Sequence, residues 1–503
     1  AAKPLGHIAS TLPEGLRGEL VHIGGGGYED YEGKNVKGKI LHLNMSWAPA
    51  RPEKARIAAE KGAKAIIISN WGLKEERIIQ LGAIKDVWGN PTPETIHEMP
   101  DLPAVSISRA AGEYLMHLCQ ESTLKVEVSA KATREWVEAK QPVGRMNGSD
   151  APTEFVLVGG HLEAWGGTAI CNSSGNGLML ELARVLSKYK DKLKRSIVFG
   201  FWDGHEVAEA AGSTHFVDTH WNDLSQHCVA YVNIDNPGIK GTSVPQIAYE
   251  PALYGFPEPI VEEFFGTTKV TKKYMYKGGD ASFFGVGVPY FSFSTGYTEE
   301  ELIELHQASL SPWIHSEKDT LDKIDKELYG KHLKLFADVV LQLGTTSILP
   351  YNPEAITETL LEDLNTVNTL GKQQFLEKII SQAQELQEYT EKLRTYTQTV
   401  NKEDKESIAV INQCLLKVNR NLSHVLRTVA GKYGQDPYDY SYVKKPVPRL
   451  YIPATNLAKL EKDTHEYRLW HTKLLREKHV IGDAIQRTID FLATSLPRVQ
   501  LRL

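Results

Sequence analysis

The stretch "EFVLVGGHLEAWGGTAICNSSGNG", residues 154–177, joins an apolar run to a polar turn that is rich in glycine and serine. The unbroken run "FVLV" predicts a strand that is buried on both faces. His161 and Glu163 follow this strand directly, and Cys171 lies ten residues after His161. An imidazole, a carboxylate and a thiol at one strand end are ligand types that a transition metal takes.

The sequence around this stretch repeats the same pattern. "RSIVFGFW", "CVAYVNI" and "VPYFSF" are further apolar runs of strand length, and helical patterns such as "GLMLELARVLSKYK" lie between them. Apolar strands that alternate with helices predict a mostly parallel sheet that is covered on both faces. We therefore expect an α/β domain over residues 139–348, with its ligands beyond the carboxyl ends of the strands.

Two further regions flank this domain. Residues 1–138 contain short apolar strands, such as "AKAIIIS", and helical spacing in "PEKARIAAEKG", which predicts a smaller α/β domain. Residues 349–503 show helical periodicity nearly throughout and predict a helical bundle. The proline-containing stretch 438–453 predicts a loop between the second and third helical regions.

Composition excludes several classes of function. The 503 residues carry a net charge of −6, so there is no basic excess to neutralise nucleic-acid phosphates. No apolar run reaches the roughly 18 residues of a membrane span. The N-terminal "AAKPLGHIAS" has no signal-peptide pattern, which favours a soluble cytoplasmic protein, but a leader removed earlier would leave the same sequence, so the compartment stays open. The four cysteines form no CxxC pair, which argues against a disulfide framework.

Potential ligands follow or flank each strand of the middle domain. Because the carboxyl ends of parallel strands meet at one edge of a sheet, we expect these side chains to converge there. Imidazoles, carboxylates and a thiolate together suit a transition metal. Beyond His161, Glu163 and Cys171, the candidates are Asp203, His205, Glu206, Asp235, Asp280, His315 and Asp319.

The motifs resemble those of the zinc exopeptidase family that includes glutamate carboxypeptidase II, bacterial aminopeptidases and the transferrin receptor. The matching segments, in family order, are "GGHLEAW", "CNSSG", "FGFWDGHE", "NID" and "HSEKDT". The resemblance covers nearly the whole chain. It implies a protease-associated domain at residues 1–138, a zinc-peptidase-like domain at 139–348, and a helical dimerisation domain at 349–503 that forms a homodimer.

The resemblance also implies a ligand set. His161 and Asp235 match the family's ligands to one metal, and Glu206 and His315 match its ligands to the other. The position of the bridging aspartate is occupied by Cys171. The expected cofactor is a transition metal, zinc first, as one or two ions, and iron or another metal stays open.

Two further positions differ from the family pattern. His205 stands at the position of the general-base glutamate, and Glu163 stands where an aspartate orients the first histidine. Cys171 and His205 still supply groups that ligate metal or move protons, whereas random decay would more often leave serine, glycine or an apolar residue. We therefore interpret the site as altered rather than inactive, with His205, Cys171 and Glu163 as its catalytic candidates.

Three hypotheses follow. The first is a metal-dependent hydrolase of a peptide or another small amide, in which His205 takes a proton from water. The second is an inactive homologue that acts as a binding or receptor-like protein. The third is a nucleophilic Cys171 with His205 as its base. For substrate contact, Lys277 in "YMYKGGDASFFG" is a candidate partner of a carboxylate.

Overall fold

The computed structural model describes residues 1–46, 48–267, 269–273, 278–370, 375–437 and 444–500. It contains two sheets, followed in the chain by a series of long helices. Among the described residues, no helix combines the length and the apolarity that crossing a membrane requires.

The first sheet lies in the N-terminal region. Its elements are β1 (Ala2–Pro4), β2 (Leu16–Gly24), β3 (Ile40–Asn44), α1 (Arg51–Glu60), β4 (Ala65–Ser69), β5 (Ala104–Ile107), α2 (Arg109–Glu121) and β6 (Lys125–Val128). The strand order is β1-β5-β4-β3-β2-β6, with a parallel centre and antiparallel edge strands. Every residue of β4 is buried, as its continuous apolar sequence predicts. This region has a core of its own.

The second sheet has seven strands. Its region contains β7 (Val143–Met146), β8 (Ala151–His161), α3 (Gly175–Leu186), β9 (Arg195–Trp202), α4 (Ala211–His227), β10 (Cys228–Asn233), β11 (Val244–Tyr249), α5 (Glu258–Phe265), β12 (Thr271–Lys273), β13 (Tyr290–Gly296), α6 (Glu299–Glu304) and α7 (Lys326–Thr345). The strand order is β12-β11-β13-β10-β8-β9-β7. The four strands β13, β10, β8 and β9 are mutually parallel, so their carboxyl ends form one edge.

The C-terminal region is helical. It contains α8 (Pro353–Leu370), α9 (Glu377–Thr399), α10 (Lys405–Arg427), α11 (Pro448–Lys459) and α12 (His465–Gln500). Its apolar side chains share one continuous core with the helix-covered face of the second sheet. The predicted fold class, a mostly parallel α/β domain with a smaller α/β domain and a helical bundle, is confirmed. The proposed domain boundaries fall between β6 and β7 and between α7 and α8.

One local prediction was wrong. The stretch 438–453 was expected to be a loop, but α11 begins inside it at Pro448. Proline suits the first turn of a helix, because its φ is already helical and its missing N–H would have no partner there. Residues 438–443 of the same stretch lie outside the described residues.

A buried carboxyl group joins the second sheet to the helical region. Glu250, directly after β11, is 1% exposed. Its Oε1 accepts a hydrogen bond from Ser423 Oγ at 3.0 Å and lies 3.8 Å from Arg427 Nε, both on α10. Burial raises the pKa of Glu250 from 4.5 to about 7, against the opposing effect of Arg427. The folded protein therefore keeps this group protonated at pH values where the unfolded chain does not.

We expect this group to make stability fall as the pH rises. Its contribution is complete below the unfolded pKa of 4.5 and is lost as the pH rises through about 7. The slope of the free energy of unfolding should approach about 1.4 kcal/mol per pH unit within this window. The free energy of unfolding, measured with urea between pH 4.5 and 8, should lack this decrease in Glu250→Gln, because glutamine cannot ionise. Equal slopes for the variant and the natural protein would contradict the prediction.

Candidate metal centre

The five predicted ligands come from one edge of the second sheet and its loops. His161 is the last residue of β8, while Glu206 and Asp235 follow the ends of β9 and β10. Since β9, β8 and β10 are adjacent and parallel, these residues are brought together as expected. Cys171 lies in the turn before α3. His315 lies in the connection after α6, with a φ of +58°, a value that non-glycine residues rarely adopt.

Cys171 is at the centre of this cluster. Its Sγ lies 3.4 Å from His161 Nε2, 3.1 Å from Glu206 Oε1 and 3.5 Å from His315 Nε2. On one side, His161 Nε2 is 3.3 Å from Asp235 Oδ1. On the other side, His315 Nε2 is 2.7 Å from Glu206 Oε1. All five side chains therefore belong to one site.

Two overlapping groups of this cluster have the arrangement of metal ligands. His161, Cys171 and Asp235 form one group, and Cys171, Glu206 and His315 form the other, with the ligand atoms of each within 4.8 Å of one another. Cys171 belongs to both groups, so its sulfur lies between them. A third group, His161 with His205 and Glu206, also satisfies this criterion.

Glu163 positions two of the ligands. Its backbone carbonyl accepts a hydrogen bond from His161 Nδ1 at 2.8 Å, which assigns the proton to Nδ1 and leaves Nε2 to face the cluster. Its carboxylate accepts the backbone N–H of Glu206 at 2.6 Å. Glu163 thus orients His161 through its carbonyl group, whereas the resemblance implied its carboxylate.

Asp319 and Asn172 hold the turn that carries Cys171. The Asp319 carboxylate accepts the backbone N–H of Cys171 at 3.1 Å and that of the preceding residue at 2.8 Å. Asn172 donates from Nδ2 to the carbonyl groups of His161 at 3.3 Å and Ile234 at 3.0 Å. Sequence analysis assigned neither role, although both residues lie in the quoted motifs "CNSSG" and "HSEKDT".

The electrostatics of the cluster favour a bound cation. Burial, then Glu206 and Asp235, raises the pKa of the Cys171 thiol well above its ordinary value. Burial and His205 would lower the pKa of His161, but Asp235 and Glu206 raise it to about 9. Asp235 Oδ1 is buried and accepts no hydrogen bond from the described residues. A thiol, imidazoles and carboxylates that attract positive charge fit a transition metal, which would also favour the thiolate.

His205 lies at the edge of the cluster and faces a second carboxylate. Its ring stacks on that of His161, with centroids 4.4 Å apart, and its Nδ1 is 3.4 Å from Asp280 Oδ1. Burial would lower the pKa of His205, but Asp280 raises it well above its ordinary value. Asp203, a further candidate ligand from the sequence, instead accepts the N–H of Gly204 at 2.9 Å. Sequence analysis named Asp280 without assigning it this role.

A cavity of about 520 Å³ adjoins the cluster. Its wall includes Cys171, His205 and His315 on one side, and Arg51 and Gln80 of the N-terminal region on another. The N-terminal region therefore contributes to the space in which a substrate would lie. Lys277, the predicted contact for a substrate carboxylate, lies outside the described residues.

The N-terminal region also holds the turn after β9. Lys85 is 2% exposed, and its Nζ donates to the carbonyl groups of Gly89 and, at 2.7 Å, Ala208. The N–H of Gly89 donates to the carbonyl of Glu209 at 2.7 Å. Glu209 has a φ of +48°, so the turn adopts a conformation that needs such support. This turn carries Glu206, so residues distant in sequence position a ligand.

Comparisons with known proteins give two family matches and several relatives of low sequence identity. The profile of peptidase family M28 matches residues 142–340, and that of the PA domain matches residues 16–115. The probable glutamate carboxypeptidase VP8 of Zea mays is 23% identical over 421 residues, covering 71% of this chain and 57% of that protein. The aminopeptidase NAALADL1 of Mus musculus is 26% identical over 282 residues, covering 50% of this chain and 37% of that protein.

Solved structures show a similar fold. A zinc aminopeptidase from Bacillus subtilis has a TM-score of 0.51 at 23% identity, covering 68% of this chain and 78% of that one. A peptidase M28 precursor from Shewanella amazonensis has a TM-score of 0.54 at 19% identity, covering 69% and 78%. The resemblance drawn from the motifs is therefore confirmed. The chain spans less than two thirds of the length of the two relatives from Zea mays and Mus musculus.

Proposed function

Because residues 142–340 belong to peptidase family M28, we propose that this protein is a metal-dependent peptidase with an altered metal site. The substrate is a peptide or another small amide. The observation that carries the proposal is the position of Cys171 Sγ, within 3.5 Å of atoms of His161, Glu206 and His315. In the family pattern this position belongs to an aspartate, so the ligands here include a softer atom.

The ligand set follows from the two groups that share Cys171. His161 and Asp235 would hold one metal ion, Glu206 and His315 would hold another, and the thiolate of Cys171 would ligate one of them or both. Zinc is the first choice, because it accepts sulfur, nitrogen and oxygen ligands together. A bound metal of this kind supplies Lewis-acid chemistry, which polarises a carbonyl oxygen and makes water more acidic.

His205 is the residue that moves a proton. Asp280 faces its Nδ1, which leaves Nε2 as the atom that would take a proton from the attacking water and return it to the leaving amine. The neighbouring carboxylates raise the pKa of His205, and a cation bound beside it would oppose this effect and favour the neutral imidazole that a base requires. Asp280 stabilises the imidazolium that forms in between, as a carboxylate beside a catalytic histidine does. Glu163 keeps His161 in the tautomer that ligation requires.

The two other hypotheses receive less support from the geometry. In the described structure, the imidazoles near the Cys171 sulfur belong to His161 and His315, while His205 faces Asp280. A nucleophilic thiol also needs a lowered pKa, whereas burial raises that of Cys171. A receptor-like protein would not need a complete set of ligands around one sulfur atom.

The proposal predicts bound metal and an effect of Cys171→Asp. Elemental analysis after purification without added metal should find one or two transition-metal ions per chain, together with hydrolysis in a panel of peptides and small amides. Cys171→Asp should change the identity of the bound metal and lower this activity, because a harder, smaller ligand alters the spacing. Less than about a tenth of an ion per chain, against the full occupancy that a complete ligand set predicts, would favour the receptor-like protein.

A double variant tests whether the natural protein is an inactivated peptidase. Cys171→Asp combined with His205→Glu restores the family pattern at both positions. If this variant binds two zinc ions and cleaves ordinary aminopeptidase substrates while the natural protein cleaves nothing, the proposal is wrong. The natural protein would then be a peptidase inactivated at two positions, with binding as its function.

We further propose that the chain forms a homodimer through its C-terminal helices. Leu469 and Val480 are 58% and 37% exposed on α12, and their spacing of three helical turns places them on one face. These two exposed apolar side chains are available for contact with a second chain, and the proposal rests mainly on the resemblance of the C-terminal helices to a dimerisation domain. A stable obligate interface would bury more than about 2,000 Å² in total.

The dimer is testable by light scattering at micromolar concentration. The natural protein should have the mass of two chains, and deletion from residue 353 should give monomer or aggregate. Leu469→Glu with Val480→Glu should weaken association, because burying unpaired charge in an interface is costly. Leu180→Glu, at an exposed position on α3, is the matched control and should leave the dimer intact. A monomeric natural protein would contradict the proposal.

A further inference from the structure

The floor of the cavity is formed by three neighbouring strands. β13 lies between β10 and β11, and the register pairs Ser292 with both Asn233 and Ala248, and Ser294 with Gln246. All five residues line the cavity. They face the same side of the sheet, because neighbours in register share a face and residues two apart along a strand do so too. We call these five residues the sheet floor.

The alternate residues of the same strands face the opposite way. Phe291 and Phe293 on β13 are buried in the core, as are Ile247 and Tyr249 on β11. Packing of this core therefore requires apolar side chains on one face only. On the floor side, Ala248 packs against a second core cluster and Asn233 Oδ1 accepts a hydrogen bond from Tyr231 at 2.8 Å. Four of the five floor side chains carry an amide or a hydroxyl group.

Several hydrogen-bonding groups at the floor have no protein partner among the described residues. Ser292 Oγ makes no side-chain hydrogen bond, and Gln246 uses only Oε1, which accepts from Ser294 at 3.5 Å. Asn236, which also lines the cavity, has a buried Oδ1 without a hydrogen bond. The side chains of Ser292 and Gln246 are half-buried at the cavity wall, and only the Oδ1 of Asn236 is fully buried. These groups are therefore positioned to bond to water or to a ligand in the cavity, and the unpaired Asn236 Oδ1 costs free energy unless it does so.

The floor carries no charge. In the described part of the cavity wall, the residues contributed by β10, β11 and β13 are all uncharged. Arg51 comes from the N-terminal region, Glu209 from the turn after β9, and Asp235 belongs to the metal cluster. An acidic or basic side chain placed on the floor would therefore lose its hydration without gaining a counter-ion there.

We propose that the sheet floor is the specificity pocket of the active site and that it binds a carboxamide side chain, as in asparagine or glutamine. This inference rests on the proposed peptidase function. A carboxamide matches the floor because it offers an acceptor to Gln246 Nε2 and donors to Asn236 Oδ1. An apolar side chain of the same shape leaves these groups unpaired and is rejected.

The test compares isosteric substrates. Peptides that differ only in the residue beside the scissile bond, asparagine, leucine or aspartate, should show kcat/KM at least roughly 10²-fold higher for asparagine than for leucine. This ratio is larger than one hydrogen bond would produce, and smaller than the ratio for a pocket in which every polar group of the substrate side chain is hydrogen-bonded. The aspartate peptide tests whether the pocket rejects a charged side chain. A serine peptide tests whether a hydroxyl group can replace the carboxamide. Equal or higher kcat/KM for leucine, aspartate or serine would overturn the inference.

Two variants and one control test whether the preference for asparagine depends on the sheet floor. Gln246→Met keeps the length of the side chain and removes its amide, so the asparagine-to-leucine ratio should fall about tenfold, the effect of one lost hydrogen bond. Ser292→Ala should reduce the ratio in the same direction and serves if Gln246→Met does not fold. Gln382→Met makes the same change on α9, at a residue that does not line the cavity, and should leave the ratio unchanged. An unchanged ratio in both floor variants would overturn the inference.

A binding measurement allows the specificity pocket to be tested independently of the proposed peptidase function. Calorimetric titration with free asparagine and free leucine, which have no main-chain amide to cleave, measures recognition without hydrolysis. If asparagine binds more tightly while no peptide is cleaved, the specificity pocket stands and the peptidase proposal fails. If peptides are cleaved without preference for asparagine, the peptidase proposal stands and the pocket assignment fails. Absence of both binding and cleavage would overturn both.

Discussion

Replacement of His161 with alanine should remove the bound metal. His161 is 1% exposed, and its Nε2 lies within 3.4 Å of both Cys171 Sγ and Asp235 Oδ1. Loss of an outer partner of a metal ligand already costs 10–100-fold in affinity, so loss of the ligand itself should exceed roughly 10²-fold. His315→Ala should have a comparable effect, because His315 belongs to the other ligand group. Metal titration and elemental analysis measure both effects.

A buried histidine elsewhere provides the control. His424 on α10 is 5% exposed and lies outside the ligand groups. His424→Ala also leaves a cavity in the protein, but it should retain the metal. If His161→Ala keeps full metal occupancy and affinity, the ligand assignment is wrong. Equal metal loss in His424→Ala would mean that a general loss of stability causes the effect.

His205→Ala should abolish most of the turnover while the metal stays bound. A general base typically contributes 10²–10⁴-fold, so kcat should fall by about that factor. Asp280→Asn should lower kcat in the same direction but less, because it leaves the imidazole in place and removes only the carboxylate that faces it. Steady-state kinetics and metal content should be measured on the same samples.

The same pair of measurements distinguishes a base from a ligand. His205 also belongs to a possible ligand group with His161 and Glu206. If metal content falls together with activity in His205→Ala, His205 is a ligand and the assignment as a base is wrong. If neither quantity changes, His205 takes part in neither role.

The periodicity of apolar residues was sufficient to predict the parallel sheet and part of the candidate site. The carboxyl ends of parallel strands must meet, so the convergence of His161, Glu206 and Asp235 could be predicted from the strand pattern. Cys171 and His315 lie in loops, and only the motifs placed them near the strand ends. The contact between His205 and Asp280 was not predicted, because it depends on loop conformations that local patterns do not encode.

The polar character of β11 and β13 was also missed. "VPYFSF" was interpreted as a continuous apolar run, but Ser292 and Ser294 face the cavity while Phe291 and Phe293 face the core. In a strand with one face on a cavity, polar and apolar residues alternate as they do in a half-exposed strand. In a short, mostly apolar segment this alternation is difficult to recognise. Helix α11 was missed as well, because the stretch 438–453 was interpreted as a loop, whereas Pro448 begins a helix there.

The hydrogen bonds of Lys85 have a consequence for the modularity of this protein. A chimera that takes its first 138 residues from another PA-domain protein can supply a folded N-terminal domain. It will not support the turn that carries Glu206 unless that domain also places a buried cation against the carbonyl of Ala208. We therefore expect that the two regions cannot be exchanged independently, because part of the geometry of the candidate metal centre depends on Lys85, more than a hundred residues before Glu206 in the sequence.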